Sequence, residues 1–288
     1  MPIASIRRFA AIAAVALLAS SVTAQPIPME ERAFSEHVAA QLRKVIPEGN
    51  VVVKGSLTLG VGQLQANLDR IFSFCRRDAA GCEGEMDRYV KGTAQAFRDR
   101  LAPPSPDAVR IVVRTTEYVR AAQSTFEGAD PSKAQIQPRA FVEGLVALPV
   151  LDTPRTIRML GDGDNAQLGL TAQEVYELGL ANVRKGLKPL MDVAKPAGRG
   201  QIGQLVGDSY HPSRLLLLDS WAPLVQAQGG VLIVAAPATD AVFYVGEDTP
   251  IAIGVLRGVA RNVMLRAPNR LSGILLRWRE SGWEVVPQ

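Results

Sequence analysis

Apolar residues recur along this chain in two rhythms, one helical and one alternating, and together they predict a mixed fold. Residues 30–46 place Phe34, Val38, Leu42 and Val45 at near-helical spacing, so an amphipathic helix is expected there. Pro47-Glu48-Gly49-Asn50 stops it with a turn. Residues 51–60 (VVVKGSLTLG) read as two short strands around Lys54-Gly55. Residues 63–74 set Leu64, Leu68, Ile71 and Phe72 on one face, predicting a second helix, and 85–101 predict a third. Strands are expected over 109–115, 141–151 and 156–160, separated by a long polar loop over 120–138. Residues 161–165 read as a turn, and Thr171-Ala172-Gln173-Glu174 has the form of a capping box opening a helix to about Lys185.

The most apolar part of the sequence beyond residue 24 is 208–247, around which the remainder is organised. Pro212 suits the first turn of a helix, where its missing N–H needs no partner. Leu217, Leu218, Trp221, Leu224 and Val225 share a helical face; Pro223 interrupts or kinks that helix and Gly229-Gly230 ends it. Residues 231–237 contain no polar side chain and suit a strand buried on both faces. Residues 237–240 supply a turn into a second strand, 241–246. A last helix is expected from Thr249-Pro250 to near Pro268, then a hairpin around Glu280-Ser281-Gly282. With no strict β-α-β alternation, the pattern is α+β: a mixed or antiparallel sheet packed with amphipathic helices, preceded by a smaller helical and β-hairpin part. The proline-rich break at 103–106 divides it into a unit over 25–102 and a larger one over 107–288.

Residues 1–24 are predicted to be a secretory leader rather than structure. Arg7 and Arg8 precede an apolar run, 9–22, too short for the ~20 residues of a bilayer span. Small residues then favour cleavage between Ala24 and Gln25. No later stretch is long and apolar enough to span a membrane, so no anchor is expected after cleavage. The protein is therefore expected to be exported, to the periplasm or beyond. The 32 basic and 28 acidic residues are interspersed without a dense cationic run, so nucleic acid is not an expected partner despite a pI near 9.2. In an exported chain Cys75 and Cys82 read as a disulfide. A continuous helix would hold them roughly 10 Å apart, beyond the ~7 Å a disulfide spans, so 76–81 must fold back as a turn.

Chemistry is sparse. Gly198-Arg199-Gly200-Gln201-Ile202-Gly203 matches GxGxxG, but a Lys-Pro-Ala loop stands where a nucleotide fingerprint needs a strand. Asp162, Asp164 and Asn165 lack calcium-loop spacing. His37 and His211 are the only imidazoles, and no GxSxG surrounds any serine. His37 falls among charged residues of a surface helix. His211 lies beside Asp208, Tyr210 and Ser213 at a loop entering a helix. Asp208, Tyr210, His211 and Asp240 are thus the candidate catalytic set, with Arg114 and Arg214 as candidate anion-binding groups. Asp219, after four leucines, either pairs with Arg214 or faces solvent. No cofactor and no metal are implied.

Four segments resemble the uncharacterised YtpQ-like family: VRIVVRTT (109–116), LGLTAQEVYELGLANVRKGL (168–187), the span from SRLLLLDSWAPLV to GGVLIVAAPATDAVFYV (213–245), and LSGILLRWRESGWEV (271–285). The resemblance implies a fold over roughly 105–288 and transfers no catalytic residue. The leader and the cysteine pair depart from it. The function expected from sequence is a non-catalytic binding or assembly role in the cell envelope, toward an envelope protein or a small ligand. The alternative is a hydrolase-like enzyme built on Asp208, Tyr210, His211 and Asp240.

Overall fold

Glu30 opens the first helix by accepting the backbone N–H groups of Arg32 and Ala33, and its carboxylate pKa falls below the usual range for that reason. The computed structural model describes residues 26–62, 64–127, 135–153 and 156–287; the predicted leader and its cleavage site at Ala24 and Gln25 lie outside them. Helix α1 (Glu31–Val45) leads into an antiparallel meander of β1 (Val51–Gly55), β2 (Thr58–Val61) and β3 (Leu64–Asn67). Helices α2 (Asp69–Arg77) and α3 (Cys82–Leu101) follow, joined by the Cys75–Cys82 disulfide with Cα atoms 4.6 Å apart. The chain turns between the cysteines, as the spacing requires. The helix expected over 63–74 is corrected: its first part is β3, whose alternating burial shows a period of two. Phe34, Leu42, Leu59, Phe72, Val90 and Phe97 belong to one core drawn entirely from this N-terminal stretch.

Past the proline-rich break, β4 (Val109–Thr115) pairs along its length with β6 (Leu145–Asp152), from Val109 opposite Leu151 to Thr115 opposite Leu145. On the other side of β6, β5 (Arg139–Val142) takes one end and β7 (Ile157–Met159) the other. The single strand expected over 141–151 is therefore part of a hairpin, turned at Gly144, whose φ of 72° favours glycine. The polar loop expected over 120–138 is also corrected, because helix α4 (Thr116–Glu127) occupies its first part. Thr115 Oγ1 accepts the Tyr118 N–H, and Val119 and Ala122 give α4 a narrow apolar stripe against the sheet. The turn expected at 161–165 is the start of α5 (Asp162–Leu168). There Asp164 accepts the Gly161 N–H and pairs with Arg158 at 2.7 Å. Helix α6 (Ala172–Gly186) has the expected capping box: Thr171 and Glu174 satisfy each other's backbone N–H. Its Gly179 lies against Ile111 of β4, on the face of the sheet opposite α4.

A short turn of helix α7 (Leu190–Val193) leads to the second large sheet, ordered β12-β11-β9-β10-β8 and antiparallel throughout. Its strands are β8 (Gly203–Val206), β9 (Ile233–Ala238), β10 (Ala241–Val245), β11 (Leu275–Arg279) and β12 (Gly282–Val285). Every residue of β9 is buried, as its lack of polar side chains predicts, although Pro237 lies inside the strand rather than in the turn. One face packs on a core shared with Val113 and Leu145 of the other sheet, which joins the two. The opposite face takes helix α9 (Pro250–Arg266) through Ala252, Leu256 and Ala260. The fold is α+β.

The helix expected after His211 is broken into three pieces: 3₁₀ turns at Pro212–Leu216 and Leu218–Trp221, then α8 (Ala222–Ala227). Pro223 stands in the first turn of α8, starting a helix rather than kinking one.

Candidate functional site

Strand β8 ends at Gly207, whose φ of 88° turns the chain away from the sheet. The Gly207 N–H donates to the Asp240 carbonyl at 3.0 Å, bringing the β9–β10 turn beside the segment that follows. Asp208 then folds that segment: its carboxylate accepts the Tyr210 N–H at 2.8 Å and its carbonyl accepts the His211 N–H at 3.0 Å. Pro212 starts the 3₁₀ turn, and the Arg214 N–H closes onto the His211 carbonyl.

The three tryptophans of the chain fix what comes next. Trp221 donates its indole N–H to the Arg214 carbonyl, Trp283 to the Leu215 carbonyl and Trp278 to the Leu218 carbonyl, at 2.8, 2.7 and 3.2 Å. Trp278 and Trp283 are cross-strand partners on β11 and β12, and Trp283 meets Trp221 edge to face at 5.7 Å. The Leu215 and Leu218 carbonyls are thereby held from a rigid sheet, while Trp221 reaches back along its own segment to a carbonyl that also accepts the Leu217 N–H. The sequence reading missed this clamp; its one signal was that a buried indole N–H needs an acceptor.

The segment so held carries an unusual set of side chains. His211, Ser213 and Arg214 are 7%, 1% and 3% exposed. Tyr210 Oη, His211 Nδ1, Ser213 Oγ and Arg214 Nε are all buried without a hydrogen-bond partner. Four such atoms within five residues stand out, because buried polar groups are paired in the great majority of cases. Arg214 donates through Nη1 to the Lys188 carbonyl at 2.9 Å, and among the described residues no carboxylate lies within ion-pair distance of it. Burial pushes the Arg214 pKa down, with Asp208 acting the other way. Burial also lowers the His211 pKa, against the opposing pull of Asp208, so the imidazole is neutral at neutral pH. The Tyr210 hydroxyl is held protonated well above its ordinary range by burial, reinforced by the Asp152 carboxylate, which stands near it without meeting it in hydrogen-bond geometry.

The structure thus brings Asp208, Tyr210, His211, Arg214 and the Asp240 turn together. Arg114 adjoins them from β4: its guanidinium stacks over the Tyr118 ring at 5.7 Å, and its charge, with that of Arg110, acts on Tyr210. Burial is the main influence on Arg114, lowering its pKa. Asp219 is elsewhere. It faces solvent, the second of its two expected placements, and there forms a bidentate pair with Arg184 at 2.8 Å rather than with Arg214. Asp152 and Arg110 join the site only through the fold. Ser213 Oγ and His211 Nδ1 make no hydrogen bond to each other, so no nucleophile–base pair is assembled.

The GxGxxG stretch is a loop running into β8, with no helix opening from it. Gly203 is required there because the Tyr244 ring lies directly over it. Among the described residues no three His, Cys, Asp or Glu side chains group closely enough to hold a metal ion, and no helix is long and apolar enough to cross a membrane. No family model, curated protein or solved structure matches the chain.

Proposed function

We propose that the protein is an exported, non-catalytic binding protein of the cell envelope, and that 208–214 is the segment that holds its ligand. The observation that carries this is the run of four buried, unpartnered polar atoms on Tyr210, His211, Ser213 and Arg214. Leaving such groups unpaired costs roughly 1–3 kcal/mol each, a cost that a polar ligand offsets when it supplies the missing partners. Export is supported by the Arg7-Arg8 leader and by the Cys75–Cys82 disulfide, a bond that persists in oxidising compartments. Kinship to the YtpQ-like family is part of the same proposal and rests on the four sequence segments alone, since no family model matches.

Native mass spectrometry on protein purified from the exported fraction tests the reading. The expected polypeptide begins at Gln25, weighs two hydrogens less than its reduced form, and retains a small molecule that Ser213→Ala weakens. A bare polypeptide of that mass, with no small molecule retained, overturns ligand binding at this segment. The second reading is a hydrolase using Asp208, Tyr210, His211 and Asp240. What favours it is the burial that keeps His211 unprotonated and therefore basic at neutral pH. His211→Ala that abolishes turnover of a hydrolysable ligand without unfolding the protein supports the enzyme.

A further inference from the structure

We propose that the outer face of α9 docks on an anionic phospholipid surface. This stands apart from ligand binding at 208–214 and does not depend on it. The inner face of α9 is accounted for by Ala252, Leu256 and Ala260, which pack on the sheet. Its outer face is not accounted for by packing. Ile251, Val255 and Leu265 are 80%, 50% and 67% exposed. At 100° per residue they fall within one arc, together with Gly254, Gly258 and a single polar residue, the exposed Asn262. A Cβ built on either glycine meets nothing within 4 Å, so these glycines answer no close approach inside the protein. They leave the apolar stripe flat.

The charge around the stripe points to its occupant. On the same projection, Arg261 borders the arc on one side and Arg266 on the other, both exposed, and Arg270 follows just beyond the helix. No acidic residue occurs between Asp248 and Glu280. Arg277 and Arg279 of that stretch are neutralised by Asp248 and Glu284, and Arg257 donates to the Pro287 carbonyl. Arg261, Arg266 and Arg270 have no carboxylate within ion-pair distance among the described residues. An exposed apolar stripe edged by arginines is the pattern of a helix lying in a membrane interface, with its apolar side chains at the acyl boundary and guanidinium groups on phosphates. A second copy is a poorer fit. Two such faces in contact would set arginine against arginine with no acid to relieve them.

The test is co-sedimentation of the processed protein, from Gln25 onward, with vesicles of phosphatidylcholine alone or with about a third phosphatidylglycerol. The leader is left off because it would bind lipid itself. Binding is expected to be at least ~10-fold stronger on the anionic vesicles and to fall as salt rises. Leu265→Glu and Ile251→Glu are expected to abolish it, and Arg261→Glu with Arg266→Glu to weaken it at least ~10-fold. These side chains are exposed, so unchanged circular dichroism is expected to accompany the loss. Equal binding to both vesicle types, or binding that survives all four substitutions, overturns the proposal. Failure to bind at low salt does the same. A homodimer in solution that Leu265→Glu dissociates overturns it in favour of a second copy. Capture of an acidic protein by this face, without lipid binding, assigns it to a protein partner instead.

Discussion

Alanine at Gly203 is expected to destabilise the C-terminal unit by about 3–5 kcal/mol, and the sum can be worked from the structure. A Cβ at this position would lie 2.1 Å from two ring carbons of Tyr244 and 2.6 Å from its hydroxyl. Ordinary carbon contacts begin near 3.5 Å, so the ring must retreat by roughly 1.5 Å. It cannot do so freely. Tyr244 is buried, and its hydroxyl donates to the Lys195 carbonyl at 2.7 Å and accepts the Lys195 N–H at 3.1 Å. Losing both bonds costs about 2 kcal/mol, and overpacking adds about 1–3 kcal/mol. Urea unfolding followed by tryptophan fluorescence measures this directly. Trp221, Trp278 and Trp283 all contact the same core as Tyr244. The decisive comparison is a double-mutant cycle. Once Tyr244→Ala has removed the ring, Gly203→Ala should cost less than about 1 kcal/mol. An equal penalty in both backgrounds would falsify the steric account.

Other outcomes follow from the same structure. Gly254→Ala and Gly258→Ala sit in open space inside a helix, and each is expected to stabilise the fold by about 0.5–1 kcal/mol, read as a rise in the urea midpoint. His211 has a pKa lowered by burial, so the unfolded chain binds more protons than the folded one as pH falls below the ordinary value of 6.5. Stability is therefore expected to drop on acidification below that point, and His211→Asn should flatten the drop; a pH series of urea midpoints checks both. Replacing Cys75 and Cys82 by serine is expected to cost about 2–3 kcal/mol, from the entropy of the short loop they close. Hydrogen exchange should place that loss in 26–101 and leave the sheet around β9 unchanged. Asp219→Ala removes an exposed ion pair with Arg184 and is expected to cost less than about 1 kcal/mol in thermal unfolding.

Much of the fold was legible where local chemistry and tertiary packing agree. The Thr171–Glu174 box starts a helix, the cysteine spacing forces a turn, and the unbroken apolar run after Gly230 is a fully buried strand. Errors arose where one pattern served two periods. Leu64 and Leu68 fit a helical face, but the strand partners of Leu64 to Asn67 decide the local structure. α4 was obscured because its apolar stripe is narrow. The run of leucines after Ser213 is helical by spacing, yet indole donors on β11 and β12 stabilise tighter turns. Those donors lie 60 and 68 residues away, beyond any local window. For the site, the sequence pointed to Asp208, Tyr210 and His211 because rare residues cluster there. That their neighbours Ser213 and Arg214 are buried without partners is a property of packing, and only the fold displays it.

The order of strands in the larger sheet has a consequence for how the chain is made. The central strand β9 pairs on one side with β10, which follows it at once, and on the other with β11, which begins at Leu275. The N-terminal core closes with contacts drawn from residues 27 to 97 alone. A chain emerging from its N-terminus can therefore complete its first unit early. β9, with no polar surface, must wait with one edge bare until Leu275–Arg279 have emerged. That interval is when a holding chaperone matters most, and a nascent chain stalled before Leu271 presents the segment most prone to associate with its own copies.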